Sequence, residues 1–272
     1  LEHKETYNIR VVNLSLNSSV AQPYYVSAMN AAVEILWFNG IVVVVSSGNN
    51  GTSTLFPPAN DPFIITVGAS DDKGTPGISD DTVAPFSAYG IISSTYGITD
   101  TRTMIKPDLV APGTNIISAL PQNNRIGMGR DHPNHRMGSG FFRMSGTSMA
   151  APMVTGAVAI LLQDEPTLTP DQVKYRLMYT ANKGFTGYNT ERGGAGYLDI
   201  YAAINTSTTE SANIGLQASQ MLWNGEEPIN WGSVNWNSVN WNSVNWNSVN
   251  WNSVNWNSVN WNGDHWDDVR PR

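Results

Sequence analysis

The chain contains no cysteine, which excludes disulfides, thiol catalysis and cysteine-based metal sites. Charge is sparse: Asp, Glu, Lys and Arg make up 14% of 272 residues, and the net charge is −7. No basic stripe interrupts this acidic balance, so a nucleic-acid partner is not expected. No apolar run reaches the length of a membrane span; the longest candidate, within residues 149–162, is short and rich in Ala and Gly. No leader segment is visible, which says nothing for a chain that starts at Leu1 rather than Met. Histidine is scarce too, at positions 3, 132, 135 and 265 alone.

Hydrophobic residues make up 40% of the chain, enough for a sizeable core. Val11–Leu16 reads as a short buried strand, and residues 24–38 carry Val26, Met29, Val33, Leu36 and Trp37 at helical spacing, with Gly40 ending the helix. Ile41–Val45 and Phe63–Gly68 are continuous apolar runs, the mark of strands covered on both faces. Residues 70–105 read as loops with short strands, Asp71-Asp72 and Asp80-Asp81 being surface turns. Thr169-Pro170-Asp171-Gln172 opens a helix with a capping box, Val173, Leu177 and Met178 supplying its buried face. A last short helix is expected around Leu198–Ile204. Strands alternating with helices in this order predict an α/β fold with a largely parallel sheet flanked by helices.

The most informative segment is Gly146-Thr147-Ser148-Met149-Ala150-Ala151-Pro152, followed by small and apolar residues through Leu162. It reads as a buried central helix with Ser148 at its N-terminus, where unpaired N–H groups and the helix dipole favour developing negative charge. A nucleophilic serine of an acyl-transfer enzyme needs that setting.

This segment resembles the nucleophile motif of the subtilisin-like serine proteases, the subtilases. Ile41–Gly51 resembles the family's strand leading to its oxyanion-hole asparagine, which maps onto Asn49. Lys106–Gly113 is similar to its Pro-Asp-x-x-Ala-Pro-Gly segment, Asn13–Leu16 to its substrate-pairing strand, and Gly194–Asp199 to its closing turn. The motifs occur in family order over roughly residues 9 to 205. The resemblance implies a serine endopeptidase in which Ser148 and Asn49 are catalytic. Substrate would pair along Leu14, Ser15, Leu16 and Asn17, with Ser46, Ser47 and Gly48 walling the pocket for the residue before the scissile bond. Where the family usually has glycine after Ser-Leu, this chain has Asn17. Structural calcium is implied by the same resemblance, but no cluster of suitable ligands assigns a site, and no other cofactor is expected. An extracellular or cell-surface location is likewise implied.

A serine of this type needs a base and a carboxylate to orient it. The family's Asp-Ser/Thr-Gly turn and His-Gly-Thr-His helix are both absent here. His132 and His135 lie in Arg130-Asp131-His132-Pro133-Asn134-His135-Arg136, which reads as a solvated loop, within an insertion at 121–143 expected to overhang the site. The chain is therefore expected to be the C-terminal part of a longer subtilase, inactive alone and partnered by the segment that carries the Asp and His. Residues 1–205 read as that part of the catalytic domain and residues 206–230 as a linker. Residues 231–272 form a low-complexity tail repeating Trp-Asn-Ser-Val-Asn. A five-residue step advances a helix by about 140°, so no apolar stripe forms. The tail reads either as a self-stacking low-complexity segment or as a ladder of indoles for a cell-surface polysaccharide. The second use belongs to the competing function, a non-catalytic scaffold or surface-binding protein.

Overall fold

A computed structural model describes residues 1–93, 103–120, 128–219, 221 and 222. After a single helical turn, α1 (Lys4–Tyr7), the chain enters β1 (Val11–Leu14), crosses through α2 (Ala28–Phe38) and returns as β2 (Val42–Ser46). β3 (Ile65–Asp71) follows, then the short β4 (Thr82–Val83), β5 (Gly90–Ser93) and β6 (Thr103–Lys106), and then β7 (Leu109–Pro112). A second group comprises β8 (Ile116–Ala119), α3 (Met128–Asp131), β9 (Arg136–Met137) and β10 (Phe141–Met144). The long α4 (Thr147–Asp164), α5 (Pro170–Thr180), the turn α6 (Thr190–Gly193) and α7 (Ile200–Ile204) complete the described elements.

The main sheet runs β1-β2-β3, with β7 parallel to β3 and β4 antiparallel to it, so it is largely parallel and flanked by helices as expected. The valine run explains the centre: all five residues of β2 are buried, which requires cover on both faces, and α2 and α4 both pack against that strand. α4 contributes Val154, Val158 and Leu161, and α2 contributes Val33 and Trp37, to one continuous core. β8, β10 and β9 form a separate antiparallel sheet, and β5 pairs β6.

Several boundaries differ from the sequence reading. α2 starts four residues later than the apolar spacing suggests, because Ser27 caps it by accepting from Asn30 N and residues 24–26 form a 3-10 turn. β1 ends at Leu14, where its pairing with β2 stops at Leu14↔Val45. α4 is buried on one side only: Met153 (38% exposed) and Ile160 (46%) face outward. Asp81 is no surface turn; it is 1% exposed, its carboxyl facing Tyr197 and held above the usual range by burial. The capping box of α5 forms as expected, with Thr169 N–H donating to Gln172 Oε1 and Gln172 N–H to Thr169 Oγ1.

Residues 206–219, the described start of the 206–230 segment whose composition reads as a linker, run as a strap along the domain. Thr208 O accepts from Arg176, Thr209 O from Gln172, and Ala212 N–H donates to Asp171 O. Ser219 is fully buried, its N–H donating to Glu34 Oε2 at 2.7 Å and its hydroxyl to Tyr25 O at 3.1 Å. The tryptophan repeat and His265 lie outside the described residues, as do residues 121–127 of the insertion.

Candidate active site

Ser148 is the second residue of α4, where the helix has N–H groups without intrahelical acceptors. Its Oγ lies 3.5 Å from Ser15 O, while Ser15 Oγ donates back to Ser148 O at 2.9 Å. The serine is thereby locked against the chain just beyond β1. Gly146 caps the helix without a side chain; the capping acceptor comes from elsewhere. Asn49 Oδ1 accepts from Thr147 N–H and from Thr147 Oγ1–H, both at 2.9 Å. Because a backbone N–H can only donate, these bonds orient the Asn49 amide. Its oxygen faces the helix, and its Nδ2 is left as a donor with no acceptor among the described residues. The Ser148 N–H likewise has none. A Cβ on Gly146 would sit 3.3 Å from Asn49 Nδ2, so a residue without a side chain is what lets the amide approach.

Further support comes from two directions. Gly146 N–H donates to Gly113 O at 2.7 Å, and Gly113 N–H to Ser70 O at 3.0 Å, tying the turn before the serine to the end of β3. Thr147 Oγ1 also accepts from Gly48 N–H at 3.1 Å. In the sequence Thr147 is a motif residue without a role. In the fold it joins the two walls, and its partners, 98 and 99 positions away, leave no local signal.

Leu14 ends β1 and Ser15, Leu16 and Asn17 extend beyond it; Ser46 ends β2 and Ser47 and Gly48 lead to Asn49. The structure thus brings both predicted segments to the N-terminus of α4. It does not bring a histidine there. His135 Nδ1 pairs with Arg143 O at 3.2 Å and its ring packs on Phe142, so the His132–His135 turn is half-buried against β10 rather than fully solvated. Of this region, residues 136–137 and 141–144 are strands of the β8-β10-β9 sheet, and residues 128–135 form turns before it. His3 is exposed at the far end of the chain. Among the described residues Ser148 Oγ meets no carboxylate or imidazole, and no three His, Asp or Glu side chains come together to hold a metal ion. No helix of the described residues is long and apolar enough to cross a membrane.

The Lys106–Gly113 segment is anchored in the core: Asp108 Oδ2 accepts from Thr66 N–H and from Lys106 Nζ, each at 2.7 Å. Burial pushes the Lys106 ammonium down to about 7 even though Asp108 holds it charged.

Comparison with known proteins places this arrangement. The chain is 45% identical over 154 residues to serine protease AprX of Bacillus subtilis (strain 168), covering 56% of this chain and 33% of that protein. It is 32% identical over 193 residues to subtilisin DY of Bacillus licheniformis, covering 69% and 56%. The chain thus spans between a third and just over half of these relatives. Fervidolysin from Fervidobacterium pennivorans, a keratinolytic enzyme related to subtilisin, superposes with a TM-score of 0.54 at 30% identity over 75% of this chain and 28% of that one. A model of the subtilase family, peptidase S8, matches residues 2–197, the span that holds Ser148, Asn49 and both walls, and the chain belongs to that family.

Proposed function

We propose that the protein is a serine endopeptidase acting through an acyl-enzyme on Ser148. The observation that carries this reading is the pair of donors without acceptors among the described residues: Ser148 N–H in the first turn of α4, and Nδ2 of the Asn49 amide whose oxygen accepts from Thr147 N–H. Ser148 Oγ attacks the scissile carbonyl carbon and surrenders its proton to a base. The carbonyl electron pair moves onto oxygen, where the two donors and the positive end of α4 stabilise it. Collapse expels the amine, which takes up the proton, and water then cleaves the ester. Peptide or protein substrate lies along Leu14–Asn17, which continues the sheet past β1.

The base and its orienting carboxylate come, in this reading, from a segment beyond the described residues, and this chain alone is inactive. Two surfaces support such a partner. β1 pairs only β2 among the described residues, leaving a sheet edge open beside the serine. The outward face of α4, with Met153 and Ile160, adjoins it through the Thr155–Asn13 hydrogen bond of 3.0 Å. An added strand on that edge would cover both. The extracellular or cell-surface location is proposed on family membership.

The test is labelling with a fluorophosphonate probe, applied to this chain and to the protein extended upstream to its natural start. The extended form is expected to label at Ser148 and the Ser148→Ala variant not at all. A folded extended form that stays unlabelled would overturn the reading and leave the tryptophan repeat as the candidate binding element.

A further inference from the structure

β1 and β2 stay paired through Leu14↔Val45 and then part. One continuation is drawn away by Ser18 N–H donating to Pro57 O, the other by Ser47 N–H donating to Val67 O. The parting leaves a slot between Ser15–Asn17 and Ser46–Gly48 beside the N-terminus of α4, where Ser15 Oγ donates to Ser148 O and Gly48 N–H to Thr147 Oγ1. The Asn17 side chain crosses it: Nδ2 donates to Ser46 O at 2.9 Å. On the opposite wall a Cβ at Gly48 would lie 3.5 Å from Asn17 Oδ1 and 3.5 Å from Ala88 Cβ, so the bare Gly48 backbone faces the Asn17 amide across the space a side chain would take. Gly48 has φ +110, a conformation that L side chains rarely adopt, so this wall keeps its bare face and the Asn17 side chain is the group that bridges the two segments.

We infer that Asn17 is a specificity-determining residue that fills the slot for the side chain on the acyl side of the scissile bond and restricts it to small residues such as alanine. This rests on the endopeptidase reading above. A large ring at that position must displace the amide and break its bond to Ser46 O, which would leave a carbonyl unpaired in a wall where Ser46 and Ser47 are each 1% exposed. A methyl group needs no such displacement.

The experiment uses the extended protein with matched peptide anilides carrying Ala or Phe before the cleaved bond. The wild type is expected to favour Ala over Phe in kcat/KM by about tenfold or more, the scale of a pocket mismatch. Asn17→Gly is expected to move the Phe-to-Ala ratio by about tenfold towards Phe, and Asn17→Ala by an intermediate amount. A merely structural role would lower both substrates together and leave the ratio still. Wild-type enzyme that cuts Phe as readily as Ala overturns the inference, as does a ratio unmoved in both variants. Absence of fluorophosphonate labelling in the wild type marks the separate failure of the endopeptidase reading, and the inference falls with it.

Discussion

Asn49 does two jobs with the two ends of one amide. Its oxygen caps α4 through Thr147, and in the proposed reaction its nitrogen is the donor for developing charge. Substitution separates the two. Asn49→Ala removes both, and is expected to cost about 1 kcal/mol of stability from the lost cap. In the protein extended upstream it should also lower kcat by about 10² to 10³, the loss known for removal of the oxyanion-hole asparagine from a subtilisin, a member of the same family. Asn49→Asp keeps an acceptor for Thr147 N–H at a positive helix end while losing the donor. Its thermal unfolding should stay close to wild type while kcat falls at least as far. Equal loss of stability in both variants would show that the amide oxygen caps nothing. Ser148 and Asn49 are legible in the sequence because each sits in a short local motif. Thr147, bonded to Gly48 and Asn49 across the fold, is not.

Among the elements, the helix α5 is readable to its cap because a capping box is written in four consecutive residues. Thr169→Ala is expected to cost about 1 kcal/mol, read from urea unfolding of the intact protein. The strap is unreadable for the converse reason. Its anchors are mostly backbone carbonyls and amides, which composition does not register. Asp171 is its key: Oδ1 accepts from Trp37 Nε1 at 2.9 Å and from Asn213 Nδ2 at 2.6 Å. Asp171→Ala leaves both donors without their acceptor and should destabilise by about 2 kcal/mol, and ending the chain after Asn205 should cost more. An unchanged midpoint in either variant would return residues 206–219 to the status of a linker.

For the molecule as a whole, sparse charge does not mean surface charge. Glu34, Asp61, Lys106, Asp108, Lys174 and Arg176 are all at most 4% exposed. Burial raises the Asp61 carboxyl to about 6, against the N–H of Phe63 and the charge of Lys106, and burial raises Glu34 further in the same direction. A raised carboxyl means that the folded state holds a proton the unfolded chain gives up. Asp61's contribution is therefore complete below about 4 and lost as pH climbs through about 6. Lys106, pushed down to about 7, works the other way: the unfolded chain binds the extra proton, so stability rises with pH above that value. Urea midpoints measured from pH 4 to 10 should pass through a minimum near neutrality. Asp61→Asn should flatten the acid limb and Lys106→Met the alkaline one, and a limb that survives its substitution would reassign it.

Read as a linear string, the chain determined the family, the α/β class, the type of most elements, and the positions of the proposed nucleophile and oxyanion donor. Each of these is encoded within a few consecutive residues: a motif, a valine run, a capping box. Distances between segments far apart in the chain decided the rest. They made Asn49 the cap of α4, drew Asn17 across to Ser46, bound the strap down, and chose which carboxylates and lysines lose their water. Such pairings depend on how the strands part and which face of a helix meets the sheet. No local pattern of residue types carries that information.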